Sequence, residues 1–426
     1  MAQATTNGNI PGQSICIPAS PPVDVAEFVP LLDHDLFQKL KHRKQLGVNF
    51  LVFPGAVHTR FEHSLGVLGL TQRLCRIHRI EGQARRHLCA YALVHDVGHG
   101  PFSHQIEPIL RGSHKTRGVQ CLEAMGDTLR ECDLDPAALT AMLAGKDQLG
   151  LFVSDRNLGT DKLDYLVRDA LHIGFVGAPD IERVQFYTLL EDGDLAIEEK
   201  FTEDIKRVQK FYSYQHQHGY LNKTAMAIQR VFQRAVQEEL AEGRGPASAL
   251  WDMTDNELTG WLQQGRSARG RRLVARLDDR SFHRSVVVIK PEGYGFVERC
   301  SDKGLAVREW PVEKFRLFSR AFSDCRRVMD LEDRLAAALG FEPGDLLLAA
   351  MPYFEKLVPK DVRICSARGG AGFWLFEKDL DHLQSLKGDY LRTSAIRVVT
   401  PPSERDRARR RADGIIEFLD AALATG

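Results

Sequence analysis

The sequence lacks several features that would assign it to a familiar class. Its eight cysteines are scattered without a Cys-X-X-Cys pair, which argues against a zinc knuckle and a disulfide framework. No apolar run approaches the length that spans a bilayer, and the polar start MAQATTNGNIPGQS does not resemble a signal peptide. Basic and acidic residues both number 57, so the formal net charge is zero and does not indicate a nucleic-acid-binding protein. We therefore expect a cytoplasmic protein in a reducing compartment, with no membrane segment.

The length of 426 residues and changes in composition predict more than one domain. Residues 1–22 are rich in Gly, Ser, Thr, Asn and Pro and are predicted to be a flexible arm. Apolar residues then recur at helical spacing over 61–80, 84–96, 118–144, 161–173 and 201–242. After about residue 270 the pattern is typical of strands at 285–289, 346–350, 361–365 and 395–399. We predict a mainly α fold: a helical domain over 23–270, followed by a smaller α+β lobe over 271–426 that ends in a helix.

Histidine is unevenly distributed along the chain. Eight of the 15 histidines lie between His58 and His114, in segments that include HTRFEHS (58–64) and HDVGHGPFSH (95–104). His95 and Asp96 are adjacent at a predicted helix end, where both side chains can reach one ion from slightly different directions. Imidazole and carboxylate ligands together suit a mid-row divalent ion such as Mn, Fe, Zn, Co or Ni, with Mg as an alternative.

A third polar segment, GTDKLDYLVRD (159–169), could complete such a site. Asp161 and Asp164 lie one helical turn apart, so one can bind the ion while the other caps or pairs. A bound ion with open positions would lower the pKa of its water and polarise a phosphate, which allows hydrolysis at neutral pH. Arg60, Lys162 and Arg168 are then candidate phosphate-binding cations. Ordinary surface charge is the alternative for each of them.

These motifs and their flanks resemble a known family. The pattern His…His-Asp…Asp is the signature of the HD domain. Several segments are similar to the dNTP triphosphohydrolases of the SAM-and-HD-domain type: QLGVNFLVFPGAVHTRFEHSLGV (45–67), HDVGHGPFSH (95–104), TDKLDYLVRD (160–169), MTDNELTGWL (253–262), FEPGDLLLAAMPYFEK (341–356) and DVRIC (361–365). The resemblance covers roughly residues 27 to 400. It implies an HD-domain helical catalytic core in a short, bacterial-type relative without a SAM domain.

The resemblance also implies roles for individual residues. The implied metal ligands are His63, His95, Asp96 and Asp161. His114 would be catalytic near the scissile α-phosphate, Glu107 would be its acidic partner, and His99 would contact the phosphates. Further implied substrate contacts are Arg60, Lys162 and Tyr165 for the phosphates, Gln45, Leu46 and Asp169 for the sugar, and Tyr220 together with His216, one helical turn before it. Tyr220 would pack beneath a deoxyribose, where a 2′-OH would clash. A homo-oligomer is also implied.

Two departures from the family pattern leave the substrate open. Tyr212 stands where the family has an arginine, and Lys115, with Arg117 close by, stands where the family has an acidic residue. The first hypothesis is hydrolysis of dNTPs to a deoxynucleoside and triphosphate. The second is an HD-type phosphatase or nuclease that acts on mononucleotides or on single-stranded nucleic-acid ends. The third is a non-catalytic regulatory HD protein, whose expected sign would be a broken set of metal ligands.

Overall fold

The structure is a computed structural model that describes residues 13–110, 112–295, 304–352, 357–366 and 372–422. Helices dominate the described residues, and most strands lie in the smaller C-terminal part, which confirms the predicted fold class. Residues 1–12 of the predicted arm lie outside the described residues, as do residues 353–356 at the end of the segment FEPGDLLLAAMPYFEK.

The α-helices are numbered in chain order. Those of the first part of the chain are α1 (Val29–Asp33), α2 (Asp35–Gln38), α3 (Arg60–His78), α4 (Gly82–Val94), α5 (Glu107–Leu110), α6 (His114–Ala124), α7 (Gly126–Glu131), α8 (Pro136–Leu143), α9 (Leu151–Ser154), α10 (Thr160–Ile173), α11 (Ile181–Phe186), α12 (Thr202–Gln215), α13 (Lys223–Ala241), α14 (Asp255–Gln263) and α15 (Ala268–Asp278). Those of the second part are α16 (Val312–Arg320), α17 (Cys325–Leu339), α18 (Leu375–Lys378), α19 (Leu380–Thr393), α20 (Arg405–Arg410) and α21 (Ala412–Ala422).

Two long helices predicted from periodicity are wrong in extent, because local capping interrupts them. The stretch 118–144 forms α6, α7 and α8, and Asp135 begins the last of these by accepting a hydrogen bond from Ala137 N, with Pro136 in the first turn. The stretch 201–242 forms α12, then a π-helical segment over His216–Tyr220, then α13. Asn222 caps α13 by accepting from the backbone nitrogens of its first turn.

The strands are numbered in the same way: β1 (Ser14–Ile15), β2 (Val23–Asp24), β3 (Thr188–Glu191), β4 (Asp194–Glu198), β5 (Arg284–Pro291), β6 (Ala306–Trp310), β7 (Leu347–Ala349), β8 (Arg363–Cys365), β9 (Phe373–Trp374) and β10 (Ile396–Thr400). β5, β7, β8 and β10 overlap the four predicted strand segments, and β5 and β10 extend beyond theirs. One sheet has the order β6-β5-β10-β7, and another has the order β3-β4-β8-β9.

The hairpin β3–β4 was not predicted, although its turn carries a signal. Asp192 and Gly193 both have positive φ, +49° and +87°, which is the conformation that an Asp-Gly turn adopts between paired strands. β4 pairs in parallel with β8, so the second sheet joins the two parts of the chain. The predicted boundary at residues 270 and 271 falls inside α15.

Helix α13 lies between the two parts of the molecule. It contributes Met226, Val231 and Phe232 to an apolar cluster that also contains Leu347 and Val399 from the C-terminal sheet. A separate cluster fills the helical domain around α3 and α4, and a third fills the C-terminal lobe. The two parts therefore share a packed boundary, and the candidate site lies beside it.

Candidate metal centre and active site

Three helices bring the predicted metal ligands together. His63 lies in the first turn of α3, His95 and Asp96 directly follow α4, and Asp161 lies in the first turn of α10. Helices α3 and α10 approach each other closely at Gly66. A Cβ atom at this position would lie only 2.0 Å from Asp164 Oδ1. The glycine thus makes room for an acidic side chain of α10 beside His63.

A second glycine brings α6 towards the same site. A Cβ atom at Gly98 would lie 2.1 Å from the carbonyl oxygen of His114. Glycine is therefore needed in the loop after α4 for the start of α6 to pack this closely. Ser113 caps α6 by accepting from Thr116 N, and His114 is the first residue of the helix.

Ligand atoms of His63, His95 and Asp161 lie within 4.8 Å of one another, and Asp96 stands beside this group. His63 Nε2 lies 3.1 Å from Asp161 Oδ1, and His95 Nε2 lies 3.7 Å from the same oxygen. Asp96 Oδ1 lies 3.5 Å from His95 Nε2, while Asp96 Oδ2 is paired with Arg60. Ligands of a divalent ion sit about 2.0–2.2 Å from it, so neighbouring ligand atoms stand about 3 Å apart. The observed spacing is close to that value.

The outer nitrogens of both histidines are bound to protein acceptors. His63 Nδ1 lies 2.8 Å from Asp164 Oδ2, and His95 Nδ1 lies 2.8 Å from the carbonyl oxygen of Ala92. These partners assign the proton to Nδ1 and turn Nε2 towards the site, as in metal-bound histidines. Burial disfavours charge on the His63 ring, but hydrogen bonds to Asp161 and Asp164 outweigh it and raise the pKa of His63 to about 10, so an ion that binds Nε2 would displace a proton from it.

The donor set fits a mid-row divalent ion. Two imidazoles and two carboxylates are the ligand types that such ions take. His95 Nε2 is buried without a hydrogen-bond partner in the described part of the chain, which suits a nitrogen that binds an ion instead. Burial opposes ionisation of Asp161, but His63 and His95 hold its pKa below the usual range, so the carboxylate is charged at neutral pH.

A second polar cluster stands next to the candidate metal-binding group, which consists of His63, His95, Asp96 and Asp161. His104 Nδ1 and His114 Nδ1 lie 2.9 Å and 3.0 Å from Glu107 Oε1. The rings of His99 and His114 are stacked, with centroids 4.0 Å apart. His99 Nδ1 lies 3.2 Å from Asp96 Oδ1, which connects this cluster to the metal-binding group. Burial works against ionisation of Glu107, but His104 and His114 lower its pKa, so Glu107 can hold both rings as a carboxylate.

Two of the predicted sugar contacts, Asp169 and Tyr220, are bonded to each other. Tyr220, at the end of the π-helical segment, donates a hydrogen bond to Asp169 Oδ2. His58 Nε2 lies 2.8 Å from the other oxygen of the same carboxylate. Leu46 packs in a small apolar cluster that Tyr220 also contacts. Gln45 Oε1 is buried and has no hydrogen-bond partner among the described residues.

The predicted phosphate contacts Arg60 and Lys162 have different partners. Arg60 pairs with Asp96 and donates to Ser103 Oγ at 2.7 Å. Lys162 Nζ donates to Tyr165 Oη at 2.9 Å and lies over the ring of Tyr212. Burial holds the pKa of Lys162 well below its usual value.

The interpretation of Arg168 as a phosphate-binding cation is wrong, because Arg168 does not reach the site. It is 1% exposed and donates to both oxygens of Asp164 and to Glu62. Nor do the two basic residues after His114 face the site: Lys115 is exposed, and Arg117 pairs with Asp252.

One cavity of about 540 Å³ joins these groups. The site residues in its wall are Gln45, Leu46, Arg60, Asp96, His99, His104, His114, Asp161, Tyr165, Asp169, Tyr212, His216 and Tyr220. The opposite wall comes from the C-terminal part and includes Phe322, Val328 and Met351. His216 is buried among Tyr212, Tyr220 and Tyr390, and burial lowers its pKa to about 3, so the ring is neutral.

Two residues of the site had no predicted role. His104 contacts Glu107 and lines the cavity, and its spacing of three residues from Glu107 could have indicated the contact. His58 is 3% exposed and binds Asp169, which lies 111 positions away in the sequence. No local signal predicts that pairing.

Among the described residues, no helix is both long and apolar enough to cross a membrane. Residues 60–145 match the family model of the HD domain. The chain is 25% identical over 408 residues to an uncharacterised protein of Methanocaldococcus jannaschii, covering 92% of this chain and 81% of that one.

Two further likenesses concern named phosphohydrolases. The chain is 28% identical over 350 residues to the deoxynucleoside triphosphate triphosphohydrolase SAMHD1 of Gallus gallus, covering 65% of this chain and 56% of that one. A crystal structure of a phosphohydrolase from Bacteroides thetaiotaomicron superposes with a TM-score of 0.69 at 19% identity, covering 91% of this chain and 99% of that one, which shows a shared fold. Residues 60–145 therefore match an HD domain, and the chain is similar in sequence and in fold to proteins named as phosphohydrolases.

Proposed function

We propose that this protein is a metal-dependent phosphohydrolase that converts dNTPs to a deoxynucleoside and triphosphate. The observation that carries the proposal is the shared cavity: Asp96 and Asp161 of the metal-binding group, His114, and the pair Asp169–Tyr220 line one space of about 540 Å³. A volume of that size is typical of a site for a small molecule such as a nucleotide. The relatives named as deoxynucleoside triphosphate triphosphohydrolases support the same substrate.

In the proposed reaction, Glu107, His114 and His99 of the second polar cluster would each have a role. A divalent ion bound by His63, His95, Asp96 and Asp161 would supply a water of lowered pKa and polarise the phosphate. Glu107 holds His114 by Nδ1, which leaves His114 Nε2 free to face the substrate. As the bond between the α-phosphorus and the 5′ oxygen breaks, His114 Nε2 would donate a proton to that oxygen and release the deoxynucleoside. His99 would contact the phosphates.

The remaining site residues would hold the sugar and the phosphates. Asp169 and Tyr220 are fixed against each other, and the buried oxygen of Gln45 can accept a hydrogen bond from a sugar hydroxyl. A pocket closed around deoxyribose would bury an added 2′-OH without a partner, at a cost of about 1–3 kcal/mol. That cost corresponds to roughly 10- to 150-fold selectivity for deoxy over ribo substrates.

A substrate with fewer phosphates is the second candidate, and the cavity contains an observation in its favour. Within the described residues, the arginines and lysines in its wall are Arg60 and Arg230, and both are already paired, with Asp96 and Glu332. The ring of Tyr212 also stands in this wall. A triphosphate needs several cations. A mononucleotide or a single-stranded nucleic-acid end needs fewer cations at this site.

One experiment separates these substrates. The purified protein is incubated with Mn²⁺ or Mg²⁺ and with dGTP, GTP, dGMP and short single-stranded DNA, and the products are identified by chromatography. Deoxyguanosine and triphosphate from dGTP would support the proposal, and equal kcat/KM for dGTP and GTP would contradict the sugar argument. Inorganic phosphate as sole product indicates a phosphatase, and nucleotides released from DNA indicate a nuclease. No turnover with any metal would favour a regulatory protein.

The proposal also covers the oligomeric state and the cellular location of the protein. On the family resemblance, we propose a homo-oligomer in the cytoplasm. Light scattering coupled to size-exclusion chromatography, with and without dGTP, measures the oligomeric state. A monomer under both conditions would contradict the oligomer.

A further inference from the structure

The loop that carries His99 and His104 contains a rare backbone conformation. Phe102 and Ser103 have φ values of +54° and +57°. Residues other than glycine seldom adopt this left-handed region, because the Cβ atom approaches the following carbonyl oxygen. Two such residues in succession persist only where surrounding contacts hold them.

A single carboxylate outside the cavity provides such contacts. Phe102 N donates to Asp255 Oδ1 at 2.7 Å, and Lys44 N donates to Asp255 Oδ2 at 2.9 Å. Asp255 is 1% exposed, stands in the first turn of α14, and does not line the cavity. Its two oxygens therefore bind two separate loops: residues 43–47, which include the predicted sugar contacts Gln45 and Leu46, and residues 99–105.

The two loops are also bonded to each other and to the metal-binding group. Ser103 Oγ donates to the carbonyl oxygen of Lys44 at 2.8 Å and accepts from Arg60 Nε at 2.7 Å. Arg60 in turn pairs with Asp96. A short series of hydrogen bonds thus leads from Asp255, through the strained turn, to a proposed metal ligand.

We propose that Asp255 is a positioning residue, which holds the loop of the sugar contacts and the loop of His99 and His104 in their active arrangement. The inference rests on the proposed function for its consequence in catalysis. An ionised carboxylate can accept a backbone N–H on each oxygen. In Asp255→Asn, the amide oxygen can accept from one loop, but the amide nitrogen then faces the N–H of the other loop and repels it.

The test compares Asp255→Asn with a matched control. Glu239→Gln alters another buried carboxylate that accepts two backbone N–H groups, from Arg266 at 2.8 Å and Ser267 at 3.1 Å, away from both loops. Both variants are assayed well below their melting temperatures for dGTP turnover and bound Mn²⁺. Backbone hydrogen exchange is measured in parallel as a readout that does not depend on activity.

For Asp255→Asn we expect faster exchange in residues 43–48 and 99–105, and kcat lower by about 100-fold, as small displacements of catalytic groups cause. Bound Mn²⁺ should be retained. Glu239→Gln should speed exchange only around residues 265–267 and leave kcat unchanged. Unchanged exchange in both loops would overturn the proposal, as would equal loss of kcat in the two variants.

Two further outcomes remain distinguishable. If the wild-type protein hydrolyses no nucleotide, the proposed function has failed, and the exchange data alone decide whether Asp255 holds the loops. If Asp255→Asn does not fold, Ser103→Ala instead removes the hydroxyl that bonds the Lys44 carbonyl and Arg60. Faster exchange in residues 99–105 with lower kcat would then support the proposal, and an unchanged kcat would overturn it.

Discussion

Asp164 is expected to control metal affinity although it is absent from the cavity wall. Its Oδ2 accepts from His63 Nδ1 at 2.8 Å, and Arg168 donates to both carboxylate oxygens at 2.9 Å. In Asp164→Asn, the amide NH2 would oppose a donor of Arg168 in either orientation, and where it replaces Oδ2 it would also face His63 Nδ1. That nitrogen must then accept, so the ring proton moves to Nε2, where it blocks binding of the ion.

The size of the effect follows from these contacts. Loss of a group that orients a metal-bound histidine lowers metal affinity by about 10- to 100-fold, or about 1.4–2.7 kcal/mol. Stability should fall as well, because breaking a buried ion pair costs about 3–5 kcal/mol. Arg168 keeps Glu62 as an acceptor at 2.8 Å, which places the expected loss near the lower end.

Calorimetric titration with Mn²⁺ near neutral pH measures the affinity, and urea unfolding measures the stability. Glu332→Gln is the matched control: Glu332 is a buried carboxylate that accepts from Arg230 at 2.7 Å and from Arg234 at 3.1 Å, and no histidine is among these partners. The Glu332→Gln variant should lose stability and keep its affinity for Mn²⁺. Wild-type affinity in Asp164→Asn, or equal loss of affinity in both variants, would refute the reasoning.

Three further predictions concern single residues. Asp96→Ala should abolish hydrolysis and lower the amount of bound metal, because three ligands hold the ion more weakly than four. Elemental analysis measures the bound metal. Full activity in metal-free variant protein would contradict the metal assignment. His114→Ala should keep the fold and the metal but slow turnover by about 10²- to 10⁴-fold; unchanged turnover would show that His114 has no catalytic role. Burial lowers the pKa of His283 to about 3, so the folded state stays neutral while the unfolded state gains a proton below about pH 6.5. Stability should therefore fall as pH drops from about 6.5 towards 3, by about 2 kcal/mol at pH 5 from this residue. Urea unfolding of wild type and His283→Gln at pH 7 and pH 5 checks this, and identical pH dependence would count against it.

Sequence by itself determined the local features of this protein. Apolar spacing located α3, α4 and α10, although α3 and α4 are buried on several sides, without a break over residues 63–68 and 88–94. Alternating and β-branched runs located four strands. The segments with the proposed metal ligands were also visible, since His95 and Asp96 are neighbours in the chain and Asp161 and Asp164 are one turn apart.

Only the tertiary structure decided which side chains meet. Asp164 binds His63 from 101 positions away, and His58 binds Asp169 from 111 positions away. Arg168 carries the same charge as Arg60, yet one is buried behind the site and the other lines the cavity. Helical spacing fixes only the face of each helix, whereas these contacts depend on how closely α3 and α10 pack. That distance is set by the missing side chain at Gly66, whose effect appears only once both helices are in place.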